Sequence, residues 1–248
     1  AGTVTDIVTS SAFRLNVTNL AGDSAAVRSS SYYRYQSGRG LKITHTGVVE
    51  ATPTASATVR FGFADDNDGV YWECDAVGMN VCIRSSASGF VVINKVPQAN
   101  WDNPAPAFPT PYDKSLGNIY EIQLQWLGVG SVQFFINGVL VHTIAHANLL
   151  PVPYMRTADL PIMWEVSNNG VANVSSASFL AICGNVTVQS GQSPPEYGYA
   201  VERDAFLGGI GAAYLPLLAI RLAPTINGVD NRAVVYPSRV VVSCETSR

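Results

Sequence analysis

The chain has 248 residues, 47% of them apolar and 13% charged, with a formal net charge of −3. Such a length suits one large β-sandwich, or a sandwich with a smaller module. No basic run is present to neutralise phosphates, and the longest apolar run, Ala212 to Ile220, is broken by Pro216; neither a nucleic-acid nor a membrane partner is expected.

The charged share is about half that of an ordinary soluble domain. A Ser/Thr/Asn-rich surface would account for this, and so would a surface covered by other subunits. The basic residues are twelve Arg and three Lys. Arg is favoured at interfaces, where its planar fork makes fixed hydrogen bonds, and Lys is depleted there. A homo-oligomer is therefore expected.

Period-2 alternation recurs along the chain, and helical periodicity does not. Val59, Phe61 and Phe63 point one way, with Thr58, Arg60 and Gly62 opposite. A polar turn, Asp65 to Gly69, follows. Val70, Trp72 and Cys74 then alternate with Tyr71 and Glu73. Cys74 and Cys82 flank a turn and could face each other across a hairpin as a disulfide, or stand as buried free thiols. The segment Asn100 to Pro111 holds four prolines. Proline lacks a ladder donor, so this is read as a long loop over the sheet.

The clearest segment is Tyr120 to Trp126. There Tyr120, Ile122, Leu124 and Trp126 share one face, and Glu121, Gln123 and Gln125 share the wet one. Leu127 to Gly130 reverses the chain before Val132, Phe134 and Ile136. Asn137-Gly138 between alternating apolar segments is a strong hairpin signal, since both residues tolerate positive φ. Residues 120–144 thus read as three consecutive antiparallel strands. Asn168 to Ser178 is polar and turn-like, and Phe179 to Val188 reads as a closing strand. The composition shifts at Gln189 to Ser, Gly, Pro and Tyr. Residues 1–189 are therefore expected to form one sandwich or barrel. Residues 190–248, with strand-like runs at Leu215 to Leu222 and Ala233 to Val242, form a β extension. That extension is too small for its own core and is expected to pack on the sandwich or on a neighbouring subunit.

Candidate chemistry is sparse. Glu73-Cys74-Asp75 begins a Glu-x-Asp-x-x-Glu pattern of the kind that serves retaining glycoside hydrolysis. Gly78 stands where the second Glu would be, so the carboxylate pair is broken and no enzyme activity is expected. The histidines, including His142 and His146 at i, i+4, read as polar-face or loop residues. Asp65, Asp66 and Asp68 could offer oxygens to calcium, or could cap their own turn. Tyr32, Tyr33, Trp101 and Tyr112 are candidate glycan-stacking or interface aromatics.

Tyr120 to Asn148, "YEIQLQWLGVGSVQFFINGVLVHTIAHAN", and Tyr154 to Asn168, "YMRTADLPIMWEVSN", carry a resemblance. They resemble the concanavalin A-like (laminin G-like) jelly roll of structural proteins of tailed bacteriophages and large DNA viruses. "YRYQSGRGLKITHTG" (Tyr33 to Gly47) and "VRFGFADDNDGVYWE" (Val59 to Glu73) fit the same pattern. The resemblance implies a two-sheet antiparallel jelly-roll sandwich with a C-terminal β extension. It also implies a non-enzymatic virion component in a capsid decoration, head-fibre or tail position, with other virion proteins as partners. A lectin-like adhesin binding host surface glycan is the alternative.

Overall fold

The computed structural model describes residues 2–36, 38–54, 56–125, 130–147, 149, 151–169 and 177–189, and the backbone of 225–226 and 229–230. The chain divides into two units, Ala1–Gln192 and Ser193–Arg248. The first unit contains β1 (Thr3–Ile7), β2 (Ala12–Val17), β3 (Ser24–Arg28), β4 (Gly40–Ala51), β5 (Ala57–Ala64), β6 (Gly69–Cys74) and β7 (Met79–Ser85). It continues with β8 (Val92–Pro97), β9 (Asn118–Leu124), β10 (Val132–Ile136), β11 (Val139–Ile144), β12 (Ile162–Asn168) and β13 (Ala177–Gln189). In the second unit, β14 (Thr225–Ile226) and β15 (Val229–Asp230) pair antiparallel. The strand-like runs Leu215 to Leu222 and Ala233 to Val242 lie outside the described residues. No described helix is long and apolar enough to cross a membrane.

The first unit is an all-β, two-sheet antiparallel jelly-roll sandwich. Its seven-stranded sheet runs β1-β2-β13-β4-β9-β10-β11, and its six-stranded sheet runs β3-β12-β5-β6-β7-β8. Late strands are inserted between early ones: β12 lies between β3 and β5, and β13 between β2 and β4. The end of the unit thereby locks both sheets. Aromatic rings join the two layers. Phe61 of β5 stacks on Phe179 of β13 with centroids 4.8 Å apart, and meets Tyr120 of β9 edge-on at 4.8 Å.

The three strands read at residues 120–144 are present as β9, β10 and β11. Tyr120, Ile122 and Leu124 face the core, with Glu121 and Gln123 on the wetter side. Trp126 and the turn residues Leu127, Gly128 and Val129 lie outside the described residues. Asn137 and Gly138 have φ of 48° and 82°, as a tight hairpin between twisted strands requires. The Asn137 side chain fixes the corner: the Ile119 amide donates to its Oδ1 at 2.8 Å, and its Nδ2 donates to Asn118 Oδ1 at 2.9 Å.

Two expectations need correction, and the cysteine alternatives resolve. Cys74 and Cys82 are buried free thiols, not a disulfide. Cys74 stands opposite Met79, and Cys82 opposite Tyr71. Position 82 is an odd number of residues from 79, so the two thiols point to opposite faces of the sheet. Burial pushes both thiols up, Cys74 to about 12. His45 is a core residue, because β4 sends Leu41, Ile43, His45 and Val49 inward. Finally, β6 and β7 are not wet on one side. Tyr71 and Cys82 face outward yet expose no surface, and with Ala64 and Met163 they form a second small apolar cluster.

Candidate functional site

The outer faces of the two sheets differ in chemistry. On the six-stranded sheet, the cross-strand register sets Glu165, Arg60, Glu73 and Asn80 in one row across β12, β5, β6 and β7. Arg60 bridges two carboxylates: its Nε donates to Glu73 at 2.6 Å and its Nη1 to Glu165 at 3.0 Å. Lys95 of β8 donates to Glu73 at 2.6 Å and also to Asp75. Burial alone would lower the Arg60 pKa, and the Glu73 hydrogen bond and charge reverse that and hold it raised. Glu73 and Asp75, the two carboxylates singled out in the sequence, are thus occupied by cations of the same chain. Arg84 lies over the Tyr71 ring, 5.1 Å from its centre, and shields the second apolar cluster.

On the seven-stranded sheet, strict alternation leaves a polar outer face. The register aligns Thr187 of β13, Lys42 of β4, Gln123 of β9 and Gln133 of β10 in one row. The row beyond it holds Gln189 opposite Gly40. Continuing the β4–β9 and β9–β10 registers brings Gln125 beside Gly40 and Ser131 beside Gln125. Gly40 has no side chain in the middle of this row, and the depression it leaves is a cleft of about 430 Å3. Among the described residues its wall carries Gln123, Gln125, Gln133, Gln189 and Ser131, and none that is charged or aromatic. A Cβ at Gly40 would come within 3.0 Å of the Gln189 amide oxygen, so only glycine keeps the floor open without moving that amide. Lys42 is in the neighbouring row, and its ammonium is turned onto Glu121 at 2.6 Å.

Most residues chosen from the sequence lie elsewhere. Asp65 Oδ1 accepts from the Asn67 and Asp68 amides, both at 2.8 Å, and Asp66 pairs with Arg28. Asp68 accepts from the Ser86 amide and hydroxyl and from the Arg156 amide. Among the described residues no group of three or more His, Cys, Asp or Glu side chains is placed to hold a metal. Trp101 is a core residue, 4% exposed, donating to the Val96 carbonyl at 3.1 Å and standing edge-on to Trp72. Tyr112 and Tyr33 pack against the same core, Tyr112 with its hydroxyl 3.0 Å from that of Tyr120. Tyr32 is the one of the four aromatics outside that cluster. His142 faces Asp102 at 3.3 Å, and His146 stacks on Tyr154 at 4.1 Å.

The cleft was only half visible in the sequence. Gln123 and Gln125 read as a wet face, but Gln189 and Gly40 join them through the insertion of β13 beside β4. The missing signal was Gly40 on the outward side of an otherwise regular strand.

No protein-family model matches the chain, and no curated protein matches it. Solved structures do. An endo-β-1,4-glucuronan lyase from the fungus Trichoderma reesei is similar over 77% of this chain and 87% of its own, at 12% identity and a TM-score of 0.45. An endo-1,3-β-glucanase from Streptomyces sioyaensis covers 73% and 76%, at 9% identity and a TM-score of 0.50. The carbohydrate recognition domain of Emp46p covers 75% and 85%, at 10% identity and a TM-score of 0.44. The fold is that of the concanavalin A-like jelly roll. At these identities the likeness concerns the fold alone. It nevertheless corrects the expectation of a non-enzyme. The similar structures are mostly polysaccharide lyases and glycoside hydrolases, so the fold gives no support to that expectation.

Proposed function

We propose that this chain recognises a neutral glycan in the amide-lined cleft of its seven-stranded sheet. The observation that carries the reading is the convergence of four glutamines and a serine on an uncharged floor opened by Gly40. A glutamine amide donates and accepts from one group, which matches the paired donor–acceptor character of adjacent sugar hydroxyls. Among the described residues the wall offers a polyuronate no cation to pair with, which favours an uncharged ligand.

The test is calorimetric titration of the intact chain with neutral gluco-, galacto- and manno-oligosaccharides, with polyuronates alongside. Saturable binding of a neutral oligosaccharide is expected. Gln123→Ala should weaken it about tenfold, the worth of about one lost hydrogen bond, and Gly40→Val should abolish it by filling the floor. Chromatography of the titrated sugar reads bond cleavage separately from binding. Absence of binding across the panel, or binding indifferent to both variants, removes this reading.

A second reading is a virion structural protein, placed in a capsid decoration, head-fibre or tail position and held by other virion proteins. The quoted sequence resemblance, the 13% charged residues and the excess of Arg over Lys support it. Mass spectrometry of purified particles tests it: the chain should be found among the particle proteins.

A further inference from the structure

We propose that β8 is a self-pairing edge, through which two copies of this chain join their six-stranded sheets antiparallel. The strand ends its sheet, and its ladder to β7 runs from Asn80↔Pro97 to Ser85↔Val92 without a bulge. A flat, regular edge is a template for another strand. Val92 and Ile93 at its start are 45% and 43% exposed, and Phe90 and Val91, just before the strand, are 68% and 45% exposed.

One edge of the other sheet, β11, and the end of β8 show how this chain closes such templates. On β11, the Thr143 amide donates to Asp102 at 2.9 Å and the Val141 carbonyl accepts from Asn103 at 2.9 Å, so the loop covers that edge. At the end of β8, the Trp101 indole N–H donates to the Val96 carbonyl at 3.1 Å. Lys95 could guard the remaining part, but its ammonium is bonded inward to Glu73 and Asp75. Residues 90–94 hold no charge at all. Among the described residues, the outward main chain from Val92 to Asn94 has no partner strand.

The pattern fits a second copy. An antiparallel pair sets residues of one face opposite each other, and a two-fold axis through Val92 places Val91 opposite Ile93 twice. β-Branched cross-strand pairs are among the favourable ones. In this register Lys95 does not face its own copy, so no like charges meet. An isologous contact of this kind closes at two copies.

Sedimentation velocity on the full chain over a wide concentration range is the test. A dimer that dissociates on dilution is expected. Val92→Lys puts two ammonium groups opposite each other on the axis, and should weaken the dimer about tenfold or more with an unchanged circular dichroism spectrum. Leu140→Lys, on the covered edge β11, should leave it intact, as should Gln123→Ala, which tests the cleft alone. Hydrogen exchange at residues 91–94 should slow as concentration rises. A monomer at every concentration, a dimer indifferent to Val92→Lys, or an edge that pairs only with a foreign strand overturns the proposal.

Discussion

The Trp164 indole of one sheet lies directly against Gly184 of the other: a Cβ at Gly184 would meet Trp164 Cζ2 at 2.3 Å. The indole cannot move away easily. Phe13 and His45 both stand edge-on to it, with centroids at 5.2 Å. Gly184→Ala should therefore destabilise the sandwich by about 1–3 kcal/mol, the usual cost of an overpacked methyl. Urea denaturation measures it. Trp164→Phe, which shortens the ring, should recover part of the loss in the double variant. Full additivity of the two would show that the contact is not the cause.

The Arg60 network makes a second quantitative expectation. Glu73 is buried and holds both Arg60 and Lys95. Glu73→Gln keeps the shape and removes the charge, and should cost about 1–3 kcal/mol by leaving cations under-compensated in a place poor in water. Because the side chain is 5% exposed, salt screens the pair weakly, and the loss should persist at high ionic strength. Arg60→Met combined with Glu73→Gln should cost less than the sum of the two single changes.

These contacts show where sequence patterning reads the fold and where it fails. Tyr120, Ile122 and Leu124 were legible because one face is buried and one wet, and Asn137-Gly138 was legible because it needs positive φ at two adjacent residues. Cys74 and Cys82 left two alternatives open because a disulfide depends on register, and register depends on where the turn ends. Trp101, in a proline-rich loop, could be a core, interface or sugar-stacking aromatic from sequence alone, and the loop folds its ring under itself onto Trp72. The cleft required β13 to lie beside β4, a pairing of residues about as far apart in sequence as the fold allows. No local pattern encodes it, whereas the glycine at position 40 becomes meaningful only once Gln189 is its neighbour.

The buried histidine makes stability depend on pH. Burial lowers the His45 pKa from 6.5 to about 3, with only the Gly62 carbonyl, 3.2 Å away, opposing the shift. In the unfolded chain the ring takes a proton below about pH 6.5, and in the folded chain it does not until about pH 3. The unfolded state therefore binds more protons in that window, and stability falls as pH drops through it, by up to about 1.4 kcal/mol per pH unit. His146 is lowered by burial too and acts with the same sign. Carboxylates such as Asp23, held at about 2 by its Thr18 hydrogen bonds, take effect only in the acidic part of the range. Between about pH 4.5 and 6.5 the slope thus belongs chiefly to the histidines. His45→Leu should flatten it, as read from denaturation midpoints at several pH values. An unchanged slope would mean that water reaches the ring.

The acidic turn separates a structural role from a metal-binding one. Asp68 holds three groups from two distant segments, Ser86 after β7 and Arg156 before β12. Asp65 closes its own turn, and Asp66 is drawn towards Arg28, which lowers its pKa. The three carboxylates are thus aimed at different partners, and a calcium ion would have to take them from amides and a guanidinium already in place. Asp68→Ala should lower stability by about 2 kcal/mol, since three donors lose their acceptor. Added calcium should leave the melting temperature of the unaltered chain where it is. A calcium-dependent rise that vanishes in Asp68→Ala would show instead that the turn reorganises around the ion and that its present hydrogen bonds are the weaker arrangement.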